Sequence, residues 1–306
     1  MSLVQPLGLG THHTRVSNKT FDFSLADGQI SLARKHAQAI AGGYLVVHGA
    51  EPSWITSSSS RADALRELQA DVTAPIRYFA GQLQYWIVVN EAVVPWSRNP
   101  NHFRSCVWQQ TLGDDLAAGN DYVTEAFRAA RAADPSAQLV YNDYGMEGSD
   151  ATSTQKRSEV LALLKALKDK NLIDGLGLQS HLSLADKFDP AVFTAFLDAV
   201  TALGLDIYVT ELDVDDKAAP SDVAARDRDV AASYAAYLGV LLAHRGVKSV
   251  ATWGISDKSS WLNRWNQFPQ YRRADGLPQR PDLLDDKLAR KPAYFAVIDA
   301  LKAHAR

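Results

Sequence analysis

Two short strand-like segments, each ending in a glutamate, constrain the fold of this chain more than any other feature. The first runs Trp86-Ile-Val-Val-Asn90-Glu91, and the second runs Asp206-Ile-Tyr-Val-Thr-Glu211. Consecutive apolar and β-branched residues predict strands that are buried on both faces, as in parallel sheets. In α/β folds the carboxyl ends of such strands carry the chemistry. We therefore expect both glutamates at one functional edge.

Strand-like and helix-like segments alternate along the chain, which predicts a parallel sheet with right-handed crossovers. Further strands are predicted at 44–48, 138–141, 172–178 and 247–253. Their polar ends favour an α/β fold of the (β/α)8 TIM-barrel type. A doubly wound open sheet is the second choice, because no glycine-rich phosphate loop follows an early strand.

The first part of the chain is weakly patterned, and we expect the first βα unit of the barrel to be incomplete there. Leu3–Leu9 predicts one short strand, weakened by its glycine. Asp27 predicts the start of a helix over 28–41. The side chains expected on the inner face of this helix are Leu32, His36 and Ile40.

Composition bounds the class of protein. The 306 residues suit one large domain or two small ones, and the alternation of strands and helices without a linker favours a single domain, with residues 1–20 as an atypical opening. The net charge of −3 excludes a basic footprint for nucleic acid or anionic membrane. Cys106 is the one cysteine, so no intramolecular disulfide and no cysteine-based zinc site is expected. No apolar run reaches the roughly 18 residues of a membrane span. Met1-Ser2-Leu3 does not begin a signal peptide.

The polar residues at the predicted strand ends suit glycoside hydrolysis. They are His48, Asn90, Glu91, Asn142, Asp143, Gln179, His181, Glu211, Asp213 and Trp253. Hydrolysis of a glycosidic bond needs one carboxylic acid to protonate the leaving oxygen and a second carboxylate to attack. We expect Glu91 to be the acid and Glu211 to be the nucleophile, held by a hydrogen bond from His181. Retention requires the two carboxyl groups about 5–5.5 Å apart, whereas about 9 Å would indicate inversion.

Six motifs, in order, resemble those of glycoside hydrolase family 10, the β-1,4-xylanases. Trp86–Ala92 resembles the family's W-D-V-V-N-E-A, and Val209–Asp213 resembles its I-T-E-L-D. The other matching segments are Tyr141–Tyr144, Gly177–Leu182, Thr252–Asp257 and Lys291–Tyr294. The resemblance covers roughly residues 21–306.

The resemblance implies a retaining enzyme that needs no cofactor and no metal and acts on xylan or xylo-oligosaccharides, secreted or periplasmic. Glu91 becomes the acid/base and Glu211 the nucleophile. The residues implied at the subsite of bond cleavage are His48, Asn90, Gln179, His181, Trp253 and Trp261. Tyr144 matches an aglycone-side tyrosine, and the supporting residues are Asn142, Asp143 and Asp213.

Departures from the family pattern lie on the non-reducing side of the substrate. The T-P-E-N-x-M-K-W segment is absent, and W-H-S-Q reads Val47-His48-Gly49-Ala50. Ile87 stands where the family usually has aspartate. Contacts with sugars away from the cleaved bond help to position the substrate and lower the barrier. Because such contacts are missing here, we expect weak or altered activity on ordinary xylan. An incomplete first unit also leaves strand edges that favour pairing, so the chain is expected as a monomer or a homodimer.

Two other interpretations stay open. The chain could be a catalytically impaired relative that only binds glycan, or a β-glycosidase of the same fold with another plant glycoside as substrate. Both glutamates, Asn90 and His181 are retained, which argues against pure binding, whereas the changes at Val47 and Ala50 favour a different substrate.

Overall fold

The computed structural model describes residues 2–304. Its strands are β1 (Leu3–Val4), β2 (Ala39–Ile40), β3 (Tyr44–Val47), β4 (Trp86–Asn90), β5 (Asp114–Asp115), β6 (Asn120–Asp121), β7 (Leu139–Asp143), β8 (Gly175–Leu178), β9 (His181–Ser183), β10 (Asp206–Asp215) and β11 (Val247–Thr252). Its helices are α1 (Thr11–Thr14), α2 (Ser24–Lys35), α3 (Arg61–Tyr78), α4 (Val107–Leu112), α5 (Tyr122–Ala133), α6 (Ala151–Lys168), α7 (Pro190–Ala202), α8 (Val223–Ala243) and α9 (Pro292–Ala303). Short 3₁₀ turns occupy Leu7–Leu9, Asp257–Ser259, Trp261–Asn263 and Pro269–Tyr271. Over this range no helix combines the length and the apolar character that crossing a bilayer would need.

The chain separates into two compact units. The first unit contains the chain up to Asp143, Gln155–Gly177 and Ala202–Asp206, and the second unit contains Tyr144–Thr154, Leu178–Thr201 and the chain from Ile207 onward. That residues 1–306 form a single catalytic domain stays a prediction.

The first unit is built on parallel strands in the order β3, β4, β7 and β8. All residues of β4 and β7 are buried, as the apolar run around Val88 predicts. The register places Asn90 beside Asn142, so the ends of β4 and β7 lie next to each other. This pairing brings the polar residues that follow both strands to one edge.

The opening of the chain differs from the sequence prediction. Only Leu3–Val4 is extended, paired in parallel with Ala39–Ile40, and Leu7–Leu9 is a 3₁₀ turn with Leu9 fully buried. The prediction of one strand over Leu3–Leu9 was therefore wrong, because Pro6 cannot donate to a strand partner and the following residues turn inward. The Thr11 hydroxyl donates to the Leu45 carbonyl oxygen, which joins α1 to β3.

The predicted helix over 28–41 was misplaced. Helix α2 begins at Ser24, with Asp27 in its first turn, and buries Ala26, Ile30 and Ala33. Leu32 is exposed instead of inward, and Ile40 belongs to β2. The small side chains of Ala26 and Ala33 carry little hydrophobic signal, so the periodicity gave the wrong face.

The second unit is built on β10, which pairs in parallel with β11 and, through Asp213–Asp215, with β9. The strand-like segment was expected to end at Glu211, but the strand continues to Asp215 and is buried from Ile207 to Val214. Side chains alternate along a strand, so Glu211 and Asp213 share one face. Helix α8 packs on α9 and buries Tyr234 and Tyr237.

Candidate functional site

Glu91, the first residue after β4, is held by both its backbone and its side chain. Its backbone is left-handed, with φ of 58°, and its N–H donates to the Asn142 carbonyl oxygen at 2.9 Å. Asn90 Nδ2 donates to Glu91 Oε1 at 3.2 Å, and Arg104 Nη2 lies 3.3 Å from Glu91 Oε2. The carboxylate is 23% exposed, so it keeps access to a substrate. Glu91 is thus an oriented, reachable carboxyl group.

A chain of amide hydrogen bonds fixes Asn90 beside Glu91. Asn142 Nδ2 donates to Asn90 Oδ1 at 2.8 Å, which leaves Asn90 Nδ2 directed toward the Glu91 carboxylate. A Cβ at Gly177 would lie 2.3 Å from Asn142 Oδ1, so only glycine fits at that position of β8. The predicted supporting role of Asn142 thereby has a physical basis.

Asp143 is a buried structural carboxylate of the first unit. Lys156 Nζ pairs with it at 2.7 Å, and the Tyr141 hydroxyl donates to it. Burial raises the pKa of Asp143, and the Lys156 cation opposes that rise. Lys156 also donates to the Val93 carbonyl oxygen, and Val93 N–H donates to Tyr141 Oη at 3.0 Å. Asp143 therefore fixes the loop that follows Glu91.

His48, the residue after β3, is largely exposed and lies within electrostatic range of the Glu91 carboxylate. Loss of water around its imidazole lowers its pKa, the Arg104 cation lowers it further, and Glu91 opposes both effects. His48 is consequently neutral at pH 7, and it can donate one hydrogen bond and accept another.

The second unit holds Glu211 through a linear network. His181 Nε2 lies 3.2 Å from Glu211 Oε2, and His181 Nδ1 lies 2.7 Å from Asp213 Oδ1. Trp261 Nε1 donates to Asp213 Oδ2 at 2.7 Å. Glu211 and Asp213 are buried, so this network, and not water, sets the orientation of the Glu211 carboxylate.

His181 is the cation of this network. Burial alone would lower its pKa, but Asp213 and then Glu211 more than offset burial and raise the pKa of His181 well above its usual value. A protonated imidazole donates from both ring nitrogens, which matches a carboxylate on each side. The predicted hydrogen bond from His181 to Glu211 is confirmed by this geometry.

The other predicted residues of the second unit are Gln179, Trp253 and Tyr144. Gln179 is buried after β8 and precedes Ser180, whose backbone is left-handed with φ of 62°. Trp253 is half-buried, and its ring stands edge-on to His181 with centroids 6.4 Å apart. Tyr144 is half-buried directly after β7. Their roles toward a substrate stay predictions.

Two important residues were missed from the sequence, Arg104 and Lys156. Arg104 lies in the long loop after β4, where no periodic pattern distinguishes it from other loop cations. Lys156 did carry a signal, because it shares the inward spacing of Val160, Leu163 and Leu167 on α6. A lysine on a buried helix face indicates a buried acidic partner.

The comparisons with known proteins agree with the geometry. The family model described as glycosyl hydrolase family 10 matches residues 10–300. Endo-1,4-beta-xylanase B of Thermotoga neapolitana is 30% identical over 92% of this chain and 75% of that protein. Endo-1,4-beta-xylanase A of the same organism is 31% identical over 91% of this chain but only 25% of its own length. The chain thus spans about a quarter of the length of that relative, and likewise of endo-1,4-beta-xylanase C of Paenibacillus barcinonensis, at 26%.

Solved structures give the fold class. Native xylanase 10B from Thermotoga maritima matches with a TM-score of 0.84 and 28% identity, over 99% of this chain and 87% of that one. Xylanase 10B from Thermotoga petrophila, in complex with xylobiose, matches with a TM-score of 0.84 and 27% identity over 99% and 86%. The predicted (β/α)8 TIM-barrel fold class is confirmed. That its first βα unit is incomplete stays a prediction.

Proposed function

Because the chain belongs to glycosyl hydrolase family 10, we propose that it is a retaining endo-β-1,4-xylanase acting on xylan or xylo-oligosaccharides. The observation that supports this proposal best is the His181 cation between Glu211 and Asp213. A nucleophilic carboxylate must stay ionised and must be oriented before the substrate arrives. The cation places a positive charge beside the Glu211 carboxylate and fixes one of its oxygens.

Glu91 and Glu211 divide the work of a double displacement. Glu91, as a carboxylic acid, gives its proton to the leaving glycosidic oxygen, while a Glu211 oxygen bonds to the anomeric carbon as the old C–O bond breaks. In the second step the Glu91 carboxylate takes a proton from water, and that water oxygen displaces Glu211. The mechanism requires about 5–5.5 Å between the two carboxyl groups.

The remaining polar residues are proposed to bind the substrate. His48 and Asn90 would bond sugar hydroxyls near Glu91, and Trp253 and Trp261 would offer ring faces to a sugar. Tyr144 is proposed on the leaving-group side, and Gln179 beside the nucleophile. The relatives are named as xylanases, and one neighbour is described with xylobiose, which supports an oligosaccharide substrate.

The replaced positions around β3 are proposed to weaken turnover of xylan. Val47 and Ala50 stand where the family pattern has tryptophan and glutamine, so fewer contacts hold the non-reducing side of the substrate.

The proposed assembly is a monomer or a homodimer. Sedimentation at micromolar concentration distinguishes the two.

The first test is release of reducing sugar from xylan by the full chain. Glu91→Gln should reduce the rate by about 10²–10⁴-fold, because it removes the proton donor. Glu211→Gln should abolish release, because an amide cannot form the glycosyl intermediate. Glu125→Gln is the matched control, since this carboxylate of α5 pairs with Arg128, three residues further along the same helix.

The stereochemistry of the first product tests the mechanism itself. Proton NMR during early turnover of a xylo-oligosaccharide should show the β-anomer before mutarotation. An α-anomer first would refute retention. Calorimetric binding of the same oligosaccharide by a cooperatively folded protein, with no release above Glu211→Gln, would instead establish a glycan-binding relative.

A further inference from the structure

Asp282, in the segment before α9, is a buried carboxyl group with no role in the mechanism above. Only 1% of the residue is exposed. Neither of its carboxyl oxygens has a hydrogen-bond partner among the described residues. A buried polar group without partners is rare in native proteins and calls for an explanation, and an ionised carboxylate in such a place is especially costly.

The cations Arg280 and Lys291 of this region pair with other carboxylates. Lys291 Nζ lies 3.0 Å from both oxygens of Asp257, and Arg280 Nη1 lies 3.9 Å from Asp257 Oδ2. The Asp282 backbone N–H also donates to Asp257, at 3.0 Å. Arg280 also forms two hydrogen bonds with Asp227, at 2.7 and 2.8 Å, so Asp257 and Asp227 take up these cations and neither cation forms an ion pair with Asp282.

The groups facing Asp282 from the neighbouring elements favour its neutral form. Burial raises the pKa of Asp282 to about 8, the charges of Asp213 and Asp257 contribute to the rise, and Lys291 opposes it. The Tyr234 hydroxyl, from α8, donates a hydrogen bond to the Pro281 carbonyl oxygen at 3.0 Å and not to Asp282. At neutral pH Asp282 is therefore mostly a carboxylic acid.

Asp282 lies directly beneath the turn that follows β11. A Cβ at Gly254 would be 3.8 Å from both Asp282 oxygens, and Gly254 itself is exposed with φ of 100°. The preceding residue is Trp253, whose ring faces His181 edge-on. The turn thus covers the carboxyl group on one side and carries a ring next to the proposed nucleophile network.

Backbone hydrogen bonds connect the turn to the segment of Asp282. Leu284 N–H donates to the Ile255 carbonyl oxygen at 2.8 Å, and Asp257 N–H donates to the Leu284 carbonyl oxygen at 3.0 Å. Because these hydrogen bonds join the two segments, entry of water at Asp282 would also shift the turn at Gly254. Movement of the turn would be transmitted to Trp253.

We propose that Asp282 is a proton-dependent positioning residue. As a neutral acid it keeps the Trp253–Gly254 turn packed against the Asp282 side chain, and on ionisation it loosens that packing. Ionisation releases the proton to water, and the carboxylate draws water under Gly254. The effect on catalysis rests on the proposed function, because displacement of Trp253 weakens binding of the sugar. The effect on the turn does not depend on any activity.

Asp282→Asn tests the proposal, because the amide keeps the shape and stays neutral at every pH. A group whose folded-state pKa lies above its unfolded value loses stability as pH rises between the two values. The melting temperature of the wild type should thus fall relative to that of Asp282→Asn between about pH 4 and about pH 8. Above about pH 8 the difference between the two melting temperatures should stay constant. Asp286→Asn, which alters an exposed carboxyl group, should show no such divergence.

Tryptophan fluorescence reports the turn directly. The difference between the wild type and Trp253→Phe should titrate with a midpoint near the pKa of Asp282, and this titration should vanish in Asp282→Asn. Asp282→Leu, which also removes the charge, serves as a second variant should the amide not fold. A melting difference that is constant with pH, or a titration that persists in both variants, would overturn the proposal.

Kinetics separate this inference from the proposed function. In the wild type, KM for a xylo-oligosaccharide should rise across the titration of Asp282, whereas KM of Asp282→Asn should stay level. The pH dependence of kcat should be the same in both proteins. Absence of any hydrolysis together with the fluorescence titration would reject the xylanase function and keep the positioning role.

Discussion

Replacing Asp213 by asparagine removes the charge that keeps His181 protonated. In the wild type the two Asp213 oxygens accept from His181 Nδ1 and from Trp261 Nε1, each at 2.7 Å. An asparagine offers one acceptor oxygen and one NH₂ group, so one of these donors then faces another donor. A neutral imidazole that donates from Nδ1 also turns the Nε2 lone pair toward the Glu211 carboxylate.

The size of the effect follows from the contacts that change. A hydrogen bond to a charged group contributes about 1.5–3 kcal/mol, and Asp213→Asn weakens the one that orients the nucleophile. Loss of that energy in the transition state corresponds to a fall of about 10–150-fold in kcat/KM. The raised pKa of His181 contributes stability that is complete below about pH 6.5 and is lost as pH rises through the folded-state value. The variant should therefore be most destabilised on the acid side.

Nitrogen-15 NMR of the imidazole is the assay, with His181 assigned by its loss in His181→Gln. The wild-type ring should remain doubly protonated well above about pH 6.5, and Asp213→Asn should titrate at lower pH. Trp261→Phe is the matched control, because it removes a neutral donor to the same carboxylate and keeps the charge. A wild-type ring that titrates at the ordinary value, or a variant with unchanged titration, would refute the reasoning.

Two further predictions concern buried charge and a buried thiol. Arg15→Met should cost about 3–5 kcal/mol in urea unfolding, because it removes the guanidinium that lies 2.6 Å from both Glu67 and Asp71, two buried carboxyl groups. Lys165→Met, at a side chain that is 63% exposed and pairs with Asp169, should cost less than about 1 kcal/mol, and equal costs would contradict the argument. Burial raises the pKa of Cys106 to about 11, so a disulfide reagent at pH 8 should modify the folded protein about 100-fold more slowly than a free thiol. Fast modification without unfolding would show that the thiol is accessible and ionised.

The strands could be predicted because their signal is local. Trp86–Asn90 and the start of β10 are consecutive apolar runs, and the structure confirms both as buried strands. The fold class then followed from the order of strands and helices. Glu91 and Glu211 were found as site residues because each follows or ends such a run, a pattern that needs no knowledge of the partners.

The cations beside Asp143 and Glu91 were not predicted, because no local pattern assigns a particular cation to a particular carboxylate at a strand end. Lys156 reaches Asp143 from inside a helix, and Arg104 reaches Glu91 from an irregular loop. The inward face of α2 was wrong for a related reason, since alanines bury well without marking a hydrophobic face. Sequence patterns therefore identify which residues end a strand, whereas the charges that orient them depend on tertiary packing.

The left-handed backbone at Glu91 and Ser180 has a consequence for engineering. A residue with a side chain costs about 1–3 kcal/mol in that conformation, and glycine avoids most of the cost. A library selected for heat resistance alone would accordingly favour glycine at both positions. At Ser180 the gain is partly offset by the lost hydrogen bond to Tyr237, but at Glu91 it removes the proposed acid. Selection for thermal tolerance without a parallel activity screen would thus enrich thermostable but inactive variants.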